Sequence, residues 1–275
     1  MASSNPAFNN SPAFSSQSKV AAKLVKPVVP PASTDGMTAE QLTELYSRPS
    51  ATPIETDRMT YEDTVIKIVI SFVILLAGAA VGWVVPVLAI PAALIGFALS
   101  LVNIFKKKPS RGLILTYAAF EGIFVGGITT FFESRYPGIA IQAVLATFVV
   151  VGVTLALFAS GKIRASRRAT KIFLIAMVGY AVFSVVNLIL MVTDVQSSMY
   201  GLRDVTIFGI PLGVVLGIVV ILMAAYSLVL DFDSIKTGVE RGAPRVYGWV
   251  AAFGIMVTVV WLYLEILRLI AILRR

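Results

Sequence analysis

Cysteine and histidine are both absent from the 275 residues. Without cysteine there is no disulfide framework and no thiol nucleophile. Without histidine there is no Ser-His-Asp triad, no imidazole metal ligand and no imidazole that changes charge near neutral pH. Any response to pH close to 7 therefore falls to carboxylates whose pKa values are raised. Charge is also scarce, at 14% of residues against about 25% in soluble domains, while 57% of residues are hydrophobic. A water-soluble globule is excluded by that balance.

The apolar residues are gathered into seven runs: Thr64 to Val85, Val87 to Phe105, Gly112 to Phe132, Ile139 to Ser160, Ile172 to Val192, Val205 to Val229 and Trp249 to Leu273. Each approaches or exceeds the roughly 20 residues that cross a bilayer core as a helix. None shows the alternating ten-residue pattern of barrel strands, and inside lipid only helices and closed barrels satisfy their backbone. The expected fold is an all-α integral membrane protein with seven transmembrane helices.

Residues 1–59 differ in kind. Ser, Asn and Pro replace the bulky apolar residues, no signal-like apolar segment is present, and the stretch reads as a disordered cytoplasmic tail. Within it Asn5-Pro6-Ala7-Phe8 is echoed by Ser11-Pro12-Ala13-Phe14, and Thr38 with Gln41 forms a capping-box pattern opening a short helix with Leu42, Leu45 and Tyr46 on one side. Thr60 and Asp63 suit the start of the first span, with Lys67 snorkelling back to the headgroups. Residues 60–275 make the transmembrane domain.

The net charge of +8 is unevenly placed. Residues 1–63 hold five basic and seven acidic side chains, so the excess lies in the membrane part. Lys106, Lys107, Lys108 and Arg111 follow the second run, Lys162 to Lys171 supply five more after the fourth, and Lys236, Arg241 and Arg245 follow the sixth. The remaining connections carry none, Arg135 alone and Arg203 alone. The positive-inside rule then places the N-terminus in the cytoplasm and the C-terminus outside, and nucleic acid is a poor partner for charge so arranged.

Against this background the carboxylates inside the runs stand out, since a charge at the bilayer centre costs roughly 3 kcal/mol on insertion scales. Glu121 lies mid-run with no basic residue in the same span. It reads either as a structural acid bonded to another helix or as a functional group. Glu265 has Arg268 at i+3, so a local ion pair competes with a gating role. Asp231 and Asp233 end the sixth run, where interfacial placement is cheap. Gly78-x-x-x-Gly82, Gly122-x-x-x-Gly126 and the series Gly209, Gly213, Gly217 read as close-packing surfaces.

The basic turn after the second span, Leu230-Asp231-Phe232-Asp233-Ser234-Ile235-Lys236 and Trp261-Leu262-Tyr263-Leu264-Glu265-Ile266-Leu267 together resemble the transmembrane Bax inhibitor motif family, in its bacterial branch. The resemblance covers about residues 60 to 275. It implies six helices around a central seventh, a bacterial plasma membrane, and a pH-responsive acid pair, Asp231 and Glu265, controlling a calcium leak. It also implies a basic latch within Lys106 to Arg111. Glu265 stands where relatives have Asp, Asp233 where many have Asn, and no acid occurs around Ile95, a place Glu121 could fill. The 34 positions between Asp231 and Glu265 exceed the family's usual spacing, which favours a ladder with Glu121 between them in depth.

The expected function is therefore a pH-sensitive cation leak, calcium first and protons second, through Asp231, Glu265 and Glu121, with Arg268, Asp233 and Arg111 as gate or ion-pair partners. No cofactor and no tightly bound metal are expected, because spaced carboxylates do not build the six to eight oxygen ligands calcium prefers. A non-transporting regulator of a membrane protease or of stress survival, acting on a membrane-protein partner through helix contacts, is the second reading. An enzyme fits poorly: a serine protease lacks its histidine, and the last span lacks the lysine of a retinal protein.

Because the chain has no cysteine, the topology is directly testable. A single cysteine replacing Ala165 is expected to resist an impermeant thiol reagent applied to intact cells and to react after lysis. Labelling from outside would overturn the orientation.

Overall fold

The computed structural model describes Thr38 and residues 57–106, 108–195 and 198–275. Apart from Thr38, the doubled motif and the short helix expected in the tail lie outside the described residues. Among the described residues, seven helical segments are long and apolar enough to cross a membrane: α1 Tyr61–Val84, α2 Ala89–Phe105 with the 3-10 turn Pro86–Leu88 that leads into it, α3 Arg111–Glu133, α4 Ile139–Ala159, α5 Arg167–Val192, α6 Leu212–Glu240 and α7 Gly248–Leu273 with the turn Arg245–Tyr247 before it.

Local chemistry sets the ends. The Thr60 hydroxyl accepts from the Asp63 amide (3.2 Å), with Glu62 and Asp63 in the first turn complementing the dipole of α1. Glu133 accepts from the amides of Gly138 (2.6 Å) and Ala140 (2.9 Å), so the end of α3 caps the start of α4. Ser166 caps α5 through the Ala169 amide (3.2 Å), carrying the helix five residues upstream of the apolar run that announces it.

The sixth span departs most from expectation. Residues 205–211 are not helical. Phe208 and Gly209, at φ 53° and 81°, turn the chain into a two-residue hairpin pairing β1 Thr206–Ile207 with β2 Ile210–Pro211, and α6 starts only after Pro211. At its other end α6 runs on to Glu240 instead of stopping at Val229. Hydropathy cannot separate an apolar hairpin from helix, nor see a polar helical turn buried by neighbours. Gly209 thus belongs to the turn and not to a packing series, whereas Gly213 and Gly217 face Ile272 and Leu269 of α7.

The seventh helix is the axis of the molecule. Its most apolar stretch is 78% buried against 11–44% in the other six. It packs against α6, α1, α4 and α3, while α2 lies on α3 and α5 lies at the edge of α6. Helices α3 and α7 run in the same direction, fixed by the Tyr117–Phe253 ring contact (5.0 Å) and the Thr129–Tyr263 hydroxyl bond (2.8 Å). The chain entering α1 is pinned to the connection between α6 and α7: the Met59 amide donates to the Ala243 carbonyl (2.7 Å) and the Arg245 amide to that of Asp57 (2.9 Å).

Helices α1 and α3 touch backbone to backbone. A Cβ at Gly82, Gly122 or Gly126 would lie 2.0 Å from the carbonyl oxygens of Ile123, Leu75 and Ala79 respectively. That contact needs glycine on both helices, and hence the paired motifs. Gly122→Ala is expected to separate the pair and destabilise the fold by about 1–3 kcal/mol. Gly152→Ala, with nothing within 4 Å, should melt at or slightly above wild type. Thermal unfolding in detergent reads both, and a Gly122→Ala variant as stable as wild type would contradict the packing.

Candidate functional site: buried acids along the central helix

Glu265 is 3% exposed on α7 and accepts from three donors. Arg268 Nη1 lies 2.8 Å from its Oε1, Arg203 Nη1 lies 3.4 Å from its Oε2, and the Tyr180 hydroxyl donates a short bond to Oε1. The tyrosine oxygen in turn accepts from Arg203 Nη2 (2.6 Å) and Arg268 Nη1 (3.4 Å). The arginine at i+3 that the sequence offers as a local partner is present, but it is one of three.

Arg203, the lone basic residue between the fifth and sixth spans, does not behave as a loop charge. It is 5% exposed, carried inward by the short 3-10 turn Gly201–Asp204 and lodged against the Tyr180 and Phe183 rings (5.5 and 5.9 Å to centroids). Gly201, at φ 61°, lets the turn close against Asn187, whose Oδ1 accepts the Leu202 amide (2.6 Å). A lone arginine beside glycine in an otherwise apolar connection, with a tyrosine mid-span in α5, was the available signal.

Asp231 is fully buried, not interfacial, because α6 continues past it to Glu240. The Thr258 hydroxyl of α7 donates to its Oδ2 (2.7 Å), and Ser227 lies 3.4 Å from the same hydroxyl. Thr258 precedes Glu265 by seven residues, about 10 Å along the helix, so Asp231 and Glu265 occupy separate levels. Asp233, on another face of α6, is half-buried and lies within electrostatic reach of Lys236 and Arg164.

Glu121 does not stand between these levels. Given the α3–α7 register it lies near Met256, close to the level of Asp231, and its carboxylate hydrogen-bonds Tyr117 and lies against Gly96 of α2. The ladder expected from span positions fails because that estimate aligned helix ends, whereas side-chain contacts set the register. The contact with Gly96 does put Glu121 beside the stretch of α2 that lacks an acid of its own.

Arg111 sits exposed at the start of α3, its guanidinium 5.4 Å from the centre of the Trp249 ring, with Lys67 Nζ 5.7 Å from the same ring. Lys67 does not snorkel: 7% exposed, it pairs with Asp63 and donates to the Arg245 carbonyl (2.6 Å), while Arg245 Nε reaches Asp63 (2.8 Å). Arg111 and Lys67 thus belong to the first turn of α7, about 13 Å along the axis from Thr258.

A family model described as Bax inhibitor 1 like matches residues 5–275 of the chain. No curated protein and no solved structure matches it.

The buried role of Arg203 separates the two assignments for that residue. Arg203→Met removes one donor pair from Glu265 and Tyr180 and is expected to destabilise by about 3–5 kcal/mol, the range for breaking a buried ion pair. Arg135→Met, on an exposed side chain stacked over Phe131, should leave the melting temperature unchanged. Equal melting of both variants would return Arg203 to the status of a loop charge.

Proposed function

The chain belongs to the Bax inhibitor 1 like family, and on that premise we propose that it is a pH-sensitive cation leak of a bacterial plasma membrane, calcium being the first candidate ion and protons the second. The observation that carries the reading is the burial of two carboxylates, Asp231 at 0% and Glu265 at 3% exposure, on the helix at the centre of the bundle and on its neighbour. Ionisable groups in spanning helices usually mark a path or a relay.

The arrangement supports passage more than storage. Asp231 and Glu265 lie at separate levels, so a cation moving between them would meet one carboxylate at a time, short of the oxygen cage that holds calcium tightly. Glu265 is occupied by Arg203, Arg268 and Tyr180, which makes the closed state an ion-paired one. Opening requires that network to change partners, and a proton added to the carboxylate would weaken both arginine contacts. The activity is not enzymatic on this reading. The N-terminus is placed in the cytoplasm and the C-terminus outside, with the Glu265 network towards the outer face.

A regulator acting through helix contacts remains the second reading, supported by α5. Only Phe173 and Asn187 of its 26 residues are buried, which leaves apolar surface on nearly every side for a membrane-protein partner.

Calcium flux into proteoliposomes across a pH series tests the proposal. Flux is expected to vary between about pH 5 and 8, with Glu265→Gln and Asp231→Asn each flattening the dependence and Asp233→Asn changing little. If Glu265 merely neutralises Arg268, the double variant Glu265→Gln/Arg268→Gln should regain the wild-type profile. That recovery, or an unaltered profile in both single acid variants, would leave the regulator as the better account.

A further inference from the structure

The network around Glu265 is unbalanced in charge. Two guanidinium groups, Arg203 and Arg268, share a single carboxylate, and Asp204, the next residue after Arg203, is paired with Arg275 (2.5 Å). One positive charge is therefore left over beside a guanidinium that is itself 5% exposed. Surplus charge of this kind inside a membrane protein is costly unless an anion completes it.

Arg268 shows where such an anion enters. Its Nη1 serves both Glu265 and Tyr180, whereas its Nε and Nη2 make no hydrogen bond among the described residues, and its side chain is 31% exposed. It lies five residues before the end of α7 at Leu273, about 7.5 Å along the axis, which brings the guanidinium to headgroup depth. Tyr180 connects it to α5, whose far side, with Val182 and Val185 59% and 56% exposed, faces outward from the bundle.

We propose that the partly exposed guanidinium of Arg268, where α7 meets Tyr180 of α5 at the hairpin end of the bundle, binds the phosphodiester of an anionic lipid headgroup, with Arg203 as the buried charge behind it. A guanidinium with its Nε–Nη2 edge free offers phosphate the bidentate geometry it favours. The acyl chains attached to such a phosphate meet the apolar lipid-facing surface of the bundle, which a free inorganic anion would not use. This site is independent of whether the protein conducts ions.

The full chain, purified in mild detergent, can be examined by native mass spectrometry with dioleoyl phosphatidylglycerol, dioleoyl phosphatidylcholine and inorganic phosphate as probes. One phosphatidylglycerol is expected to be retained, with phosphatidylcholine about fivefold weaker, and Arg268→Gln is expected to reduce retention of phosphatidylglycerol by about five- to tenfold. Arg135→Gln, an exposed arginine on the α3–α4 turn, should bind as wild type. Arg268→Lys keeps the charge and loses the fork; it serves if the glutamine variant does not fold, and should bind several-fold more weakly than wild type. Equal retention of the two lipids, displacement of phosphatidylglycerol by millimolar inorganic phosphate, or full retention by the position-268 variants would each overturn the proposal.

Discussion

Glu265 is an acid inside the most buried helix of a membrane bundle, and an ionised carboxylate there is tolerable only because donors converge on it from three elements. Arg268 comes from its own helix, Tyr180 from the middle of α5, and Arg203 from the turn that follows α5. The geometry of the hairpin half of the bundle depends on this convergence. It explains why a short connection folds inward and how the sparsely buried α5, packed on α6 through Phe173 and Tyr226, is also tied to α7. Remove the carboxylate and two guanidinium groups would share only the neutral Tyr180 hydroxyl in low dielectric.

The opposite end of α7 is held by different means. Trp249 is flanked by Lys67 and Arg111, and Asp63 joins Lys67 to Arg245, tying the entry to α1 to the connection before α7. Between the two ends the contact of α1 with α3 is made by glycine against backbone, rigid because any side chain would displace a carbonyl. Asp231 and Thr258 lie in the interval. The central helix thus carries polar groups at three levels, separated by apolar turns, within a cage whose tightest seam lies on the α1–α3 side and whose loosest element, α5, lies over the Glu265 network.

The seven spans, their approximate limits and the central place of the last were legible because hydropathy and the resemblance both report on residues that meet lipid or core directly. The hairpin at 206–211 was not, since Val205, Ile207, Phe208 and Ile210 are as apolar as any helix, and only the paired positive φ values at Phe208 and Gly209 distinguish it. Asp231 and Glu265 were recognisable as unusual. Their surroundings were not: Arg203 is 62 positions from Glu265 and Tyr180 is 85, and pairing over such separations leaves no periodic trace. Glu121 was placed at the wrong depth because span length gives the position of a residue within its own helix and says nothing of how neighbouring helices are offset.

The central claim is that a change in protonation of the buried acids changes the state of the bundle. Infrared difference spectroscopy on the reconstituted protein measures this at the carboxyl groups themselves. The account predicts a carboxyl C=O band that appears as pH falls through the interval where flux changes, and that is lost in Asp231→Asn. A spectrum with no such band over that interval, or one unchanged in that variant, would contradict it.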